Sequence, residues 1–187
     1  MIYLVTLQQS LFENEEYKII TAEEAITILN SWNMVQYDSE TLGKDCHVGT
    51  QLLVQFGSTD KSVQILVDCT TIDIRLIKNI LETKYIIGQN LKFDIPWLYN
   101  YGIVPRKVYD TMIVEQLLYL GYPPEYKDPI HGISYSLQAI TDRRLGIYID
   151  KTVRGEIQWR GLDTSVILYA AKDVMYLYDI MISQLND

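Results

Sequence analysis

Met34-Val35-Gln36-Tyr37-Asp38-Ser39-Glu40 is the stretch from which the architecture of this chain can be read. Apolar and β-favouring residues lead into it, so it reads as a strand entering a sheet. It ends on two acids at i and i+2. Side chains in a strand alternate faces, so Asp38 and Glu40 point the same way. Two carboxylates on one face repel each other. A divalent cation relieves the repulsion, because hard cations take carboxylate oxygens as ligands. Taken alone, Asp-x-Glu is also a common tripeptide at a solvated strand end, so the surrounding chain has to decide.

On the N-terminal side, residues 1–5 read as a short strand and residues 7–16 as a polar turn or loop. Thr21 followed three residues later by Glu24 is a capping-box pattern, opening a helix to about Trp32. On the C-terminal side, residues 41–49 read as loop. Residues 51–56 and 63–67 read as two more strands around the turn 57–60. With the central strand they predict an antiparallel meander. The pattern then changes to a helix over 72–81 and a fully apolar strand at 85–87, of the kind usually buried in a parallel arrangement. A helix over 91–101 follows, closed by Gly102, with Pro105 beyond it. Val108-Tyr109 is a fifth strand, and Asp110 caps a helix to about Leu120. A loop over 121–132, a helix over 135–145, irregular chain over 146–161 and one last helix from Asp163 to about Leu185 complete the reading. The expected fold is α/β: a five-stranded mixed sheet, three meander strands plus two parallel ones, flanked by helices.

The 187 residues suit a single domain with a sizeable core. The net charge of −8, from 24 acids and 16 bases, argues against a broad electrostatic grip on duplex DNA. It still allows an enzyme that holds a few nucleotides through bound metals. No apolar run is long enough for a membrane span, and the N-terminus does not read as a signal peptide. Cys46 and Cys69 are far apart and read as free thiols in a reducing compartment, the cytoplasm. Cys46-His47 is a weak zinc signal and is read as loop.

Two further pairs add to the acids. Asn90 and Asp94 lie at i and i+4 at the start of a helix that follows a buried strand, where α/β proteins place ligands. Asn90 also suits a helix N-cap, and Asp94 a first-turn acid. Tyr169 and Asp173 repeat the i, i+4 spacing on the last helix. There Asp173 falls on or beside the apolar stripe Val166, Ala170, Val174, Leu177, Tyr178 and Met181. A buried acid needs a partner.

The ordered set Asp-x-Glu, Asn-x-x-x-Asp and Tyr-x-x-x-Asp resembles the three-motif signature of DEDD-type 3′-5′ exonucleases, in the tyrosine subclass. The segments Gly88-Gln89-Asn90-Leu91-Lys92-Phe93-Asp94, Tyr101-Gly102-Ile103, Tyr109-Asp110-Thr111-Met112 and Tyr169-Ala170-Ala171-Lys172-Asp173-Val174 resemble the proofreading domain of bacterial polymerase I-like and phage family A DNA polymerases. Residues 136–151 also resemble ribonuclease D and the Werner-type exonucleases. The resemblance covers about residues 17–185 and leaves 1–16 as an N-terminal extension.

The resemblance implies a ribonuclease H-like fold and hydrolysis of phosphodiesters at DNA 3′ ends with two divalent ions, Mg²⁺ or Mn²⁺. It implies that Asp38 serves both ions, that Glu40 and Asp173 complete the first site, and that Asp94 serves the second through water. Tyr169 would orient the attacking water. Gln89 and Asn90 would contact the terminal nucleotide, and Leu42 would pack on its base. Lys92, Arg143, Arg144, Lys151, Arg154 and Arg160 are candidates for the path of the strand. The preferred substrate is single-stranded DNA or a frayed 3′ end, and the implied partner is a polymerase domain in the same or another chain, in a host's cytoplasm if the chain is of phage origin. Polymerase motifs are absent, so the expectation is either a proofreading module of a DNA polymerase or a free-standing relative of one. Two alternatives stand beside this: an exoribonuclease of the ribonuclease D type, and an inactive strand-binding or structural module.

Overall fold

The computed structural model describes residues 1–8, 14–120, 133–149 and 157–187. The predicted loop over 121–132 lies outside the described residues, as do Lys151 and Arg154.

Among the described residues the sheet has seven strands, not five. They are β1 (Ile2–Val5), β2 (Tyr17–Ile19), β3 (Met34–Leu42), β4 (Thr50–Gly57), β5 (Gln64–Asp68), β6 (Tyr85–Gly88) and β7 (Lys107–Asp110). Their order is β2-β1-β5-β4-β3-β6-β7. The expected core is present, with β3, β4 and β5 antiparallel and β6 and β7 added in parallel beyond β3. The two extra strands extend the other edge, β1 pairing parallel with β5 and β2 parallel with β1. The strand at 1–5 is visible in the sequence, but its place in the sheet is not. β2 has three residues, too few to show alternation.

Alternation along β3 and β4 sends side chains to two layers. Val35, Tyr37, Val54 and Phe56 face one core, with Ala25 and Leu29 of helix α1 (Ala22–Ser31), Ile74 and Ile77 of a 3₁₀ turn (Ile74–Ile77), Ile80 and Leu81 of α2 (Lys78–Thr83), and Leu91 and Leu98 of α3 (Leu91–Tyr99). Leu53, with Leu66 and Leu4, faces the opposite layer. There it meets Val166, Ile167, Ala170 and Ala171 of α7 (Thr164–Asp173). Beside that core, Ile87 packs with Leu137 and Ile140 of α5 (Leu137–Leu145) and with Leu177 and Ile180 of α8 (Leu177–Leu185). Helices α4 (Thr111–Leu118) and α6 (Ile157–Arg160) complete the set among the described residues. The Thr21–Glu24 capping box, the Asp110 cap of α4 and the Asp163 cap of α7 form as expected.

The last predicted helix is two helices. α7 stops at Asp173 and α8 begins at Leu177. Two residues of the sheet account for the break. Val174 presses its carbonyl on β4 at Gly57, where any Cβ would collide with the Val174 oxygen. The Tyr178 N–H, which would bond the Val174 carbonyl in a continuous helix, instead donates to Oε1 of fully buried Gln36 at 2.9 Å. Gln36 Nε2 donates to the Ser58 carbonyl at 2.7 Å. No Gly or Pro lies at 174–176 to mark the break in the sequence.

Candidate active site

At the end of β3 the chain runs two residues further than expected, to Leu42, with a register shift against β4 between Glu40 and Thr41. Bulges of this kind re-aim side chains at the rim of a sheet. The acids here point toward α7. Asp38, Glu40 and Asp173 offer carboxylate oxygens that all lie within 4.8 Å of one another. Asp173 is the last residue of α7 and is buried.

Tyr169, one turn before Asp173, is also buried and is hydrogen-bonded to its carboxylate. Burial, then the charges of Asp173, Glu40 and Asp38 and that hydrogen bond, hold the Tyr169 hydroxyl well above its ordinary pKa. It keeps its proton and acts as a donor.

Asp94 stands apart from that group of three. It sits in the first turn of α3, on the opposite side of β3 from α7, and is 3% exposed. Its Oδ1 accepts a 2.6 Å bond from Ser39 Oγ. Burial raises the Asp94 pKa to about 7, opposed by the Ser39 hydrogen bond and reinforced by the charge of Asp110. The four acids therefore divide into a triad on the α7 side and one buried carboxyl on the α3 side of the same strand.

All four, with Tyr169, line one cavity of about 630 Å³, within the range of small-ligand sites. Ser39, Thr41, Gly43, Lys44, Gln89, Asn90, Phe93, Met112, Tyr135, Ser136, Leu137, Gln158 and Leu177 complete its lining.

The other candidates divide. Asn90 occupies the N-cap position of α3 with φ 61°, but its side chain makes no capping bond. Asp110 does that work. Its Oδ1 accepts from the Asn90 N–H and its Oδ2 from the Leu91 N–H, at 2.9 and 2.7 Å, while Oδ1 also accepts from Met112 N and Ile113 N of α4. One carboxylate thus caps two helices, and the Asn90 side chain is left to the cavity wall. Gln89 lines the cavity as well, but its amide is engaged at both ends: Nε2 donates to the Tyr135 carbonyl at 2.8 Å and Oε1 accepts from Thr111 Oγ1 at 2.5 Å. Leu42 is half-exposed and lies outside the lining.

Arg143 and Arg144 lie outside the cavity lining. Both pair with fully buried Glu115 of α4, which also accepts from Gln184 Nε2 at 2.9 Å. Arg160 lies 3.9 Å from Asp163 and bonds Ser165 Oγ. Lys92 is exposed and outside the lining. The lysine in the lining is Lys44, placed by a turn at Gly43 with φ +89°. Asp45, Cys46 and His47 form an exposed turn beside it, with the Asp45 carboxylate accepting from the His47 N–H. Cys46 and Cys69 are free thiols, and burial raises the Cys69 pKa to about 12.

Sequence reasoning missed Ser39, Gln36, Gly57, Lys44 and the double cap of Asp110. Ser39 had a signal, since it sits between the two acids on the opposite face of the strand. The others depend on contacts far apart in sequence.

Residues 15–185 match the sequence profile described as 3′-5′ exonuclease. The chain belongs to the 3′-5′ exonuclease family. This exonuclease-family chain is 32% identical to DNA polymerase I of Aquifex aeolicus over 172 residues, covering 88% of the chain and 26% of the relative. It is 27% identical to ribonuclease D of Bartonella henselae over 175 residues, covering 89% of the chain and 40% of the relative. The chain thus spans about a quarter and two-fifths of those two curated relatives. The fold matches the catalytic core of RRP6 from Trypanosoma brucei with TM-score 0.74 at 17% identity, covering 99% of this chain and 46% of that one. It matches Brucella melitensis NrnC bound to pGG with TM-score 0.69 at 20% identity, covering 99% and 80%. A further NrnC structure, with bound Mg²⁺, matches with TM-score 0.67 at 20% identity, again covering 99% and 80%. The ribonuclease H-like architecture inferred from sequence is the one observed. No helix among the described residues is long and apolar enough to cross a membrane.

Proposed function

We propose that this chain removes nucleotides from the 3′ end of a DNA strand by metal-dependent phosphodiester hydrolysis. The observation that carries the reading is the convergence of Asp38, Glu40 and Asp173, with oxygens within 4.8 Å, in a cavity that also holds Asp94. An all-oxygen donor set of this kind fits Mg²⁺ or Mn²⁺ rather than zinc. Asp38, Glu40 and Asp173 would hold one ion and Asp94, with Asp38, a second. Such a pair supplies a water nucleophile at neutral pH and stabilises both the attacking and the leaving oxygen.

The chain's own residues do the rest. Tyr169 keeps its proton, so it works by hydrogen bond to orient the attacking water and does not act as the base. Asn90 presents its amide to the terminal nucleotide. Phe93, Met112, Tyr135 and Leu177 give the cavity apolar and aromatic surface, which accepts any base, because stacking is sequence-tolerant. Gln89 acts indirectly, tying the turn before α3 to Tyr135. The net charge of −8 argues against a broad electrostatic grip on duplex, so the strand enters single-stranded or frayed. The relation to DNA polymerase I supports a proofreading role beside a polymerase domain, in the same or another chain. The free thiols suit a cytoplasmic setting.

A second reading, short or single-stranded RNA as substrate, is supported by the relation to ribonuclease D and by a structural neighbour that binds pGG. The deciding experiment is digestion of 5′-labelled single-stranded DNA and matched RNA with Mn²⁺ or Mg²⁺. A ladder shortening from the 3′ end of the DNA, absent with chelator and absent in Asp38→Ala, is the expected result. A ladder on RNA alone replaces DNA by RNA. Undiminished degradation by Asp38→Ala ends the reading.

A further inference from the structure

The residue between the two strand acids faces away from them. Asp38 and Glu40 point to α7, and Ser39, one position out of phase, points to α3. Ser39 is 7% exposed and its hydroxyl donates to Asp94 Oδ1 at 2.6 Å. Asp94 approaches β3 from the side opposite the triad and lies outside it. We propose that Ser39 is a positioning residue: its hydroxyl fixes the Asp94 carboxylate relative to Asp38 and Glu40, and so sets the affinity of the cation that Asp94 would hold.

The geometry gives three reasons. A carboxylate in the first turn of a helix has two free side-chain torsions, and the Ser39 bond selects one arrangement. That bond occupies Oδ1, leaving Oδ2 as the oxygen not taken by Ser39. The anchor also sits on the same three-residue stretch as Asp38 and Glu40. The packing of α3 brings Asp94 to β3, and the Ser39 bond then ties its carboxylate to the strand that carries Asp38 and Glu40. Partners that orient a metal ligand from behind are worth roughly 10–100-fold in metal affinity or activity.

The proposal rests on the two-cation reading, and its test separates the two. Wild type, Ser39→Ala, Ser39→Thr and Ser39→Cys are titrated with Mn²⁺ alone by calorimetry, after melts in chelator have shown that each is folded. Activity on a single-stranded oligonucleotide is then measured against Mn²⁺ concentration. In Ser39→Ala the weaker Mn²⁺ event should weaken by roughly 10–100-fold, with the tighter event unchanged. The Mn²⁺ concentration for half-maximal activity should rise by the same factor. Ser39→Thr keeps the hydroxyl and should restore both values. Ser39→Cys keeps the volume with a weaker donor, should fall between them, and stands in if Ser39→Ala does not fold. Unchanged binding in Ser39→Ala, equal loss at both events, or a Thr variant that behaves like Ala would overturn the proposal. A wild type that neither binds Mn²⁺ nor cleaves would instead overturn the two-cation reading itself.

Discussion

Replacing Asp94 by Asn should make the metal-free protein more stable, and only at high pH. Asp94 is 3% exposed and its folded-state pKa is about 7, because burial disfavours its charged form. In the unfolded chain it titrates near 4. Below that value both states carry the proton and Asp94 contributes nothing. Between about pH 4 and 7 the unfolded chain gives up the proton and the folded chain keeps it. The folded state then binds more protons, so stability falls as pH rises. A rise in pKa from near 4 to about 7 corresponds to about 4 kcal/mol. Asn removes the titration and still offers Ser39 an acceptor oxygen. At pH 8 with chelator, Asp94→Asn should gain up to about 4 kcal/mol, or roughly 8–16 °C in melting temperature for a chain of this size. At pH 4 the two proteins should melt together. Saturating Mn²⁺ at pH 8 should narrow the gap, because an ion bound only by the native state stabilises the wild type through mass action. The assay is a pair of thermal melts across pH 4 to 8, with chelator and with Mn²⁺. A gap that does not vary with pH, or a variant less stable than wild type at pH 8, would refute the argument that burial of this carboxyl opposes folding.

Tyr169→Phe should slow hydrolysis less than Asp38→Ala does, since it removes one hydrogen bond, on the order of a few kcal/mol in the transition state; equal loss in single-turnover rates would give Tyr169 a larger role. Gly57→Ala should destabilise by about 1–3 kcal/mol, because the new methyl meets the Val174 carbonyl; an unchanged melting temperature would mean the α7–α8 junction is not held there. Lys44→Ala should raise KM without lowering kcat and reduce the salt dependence of single-strand binding by about 0.7 in log–log slope, because Lys44 lies in the cavity lining; an unchanged slope would place it outside the strand path. Glu115→Gln should cost about 3–5 kcal/mol by removing the buried carboxylate that Arg143 and Arg144 share, with only Asp187 left to Arg144, read as a fall in melting temperature; a neutral result would show that the network adds no net stability.

The order of the motifs was legible in the sequence because each depends on short periodicities. Alternation along β3 put Asp38 and Glu40 on one face. The i, i+4 spacing put Tyr169 beside Asp173, where the hydroxyl bonds the carboxylate. Local chemistry likewise marked the caps at Thr21, Asp110 and Asp163, since a side chain within three residues satisfies the free N–H groups. What stayed hidden depends on groups that meet only in three dimensions. β1 and β2 join the sheet through partners far along the chain, so their strand character did not reveal their place. The break after Asp173 comes from Gly57 and Gln36, more than a hundred residues away. The pairing of Arg143 and Arg144 with Glu115 of α4 also joins residues almost thirty positions apart, which no local pattern shows. The sequence could supply four acids of one charge; which three meet, and that the fourth is held by Ser39 across the strand, was settled by which layer each helix packs against.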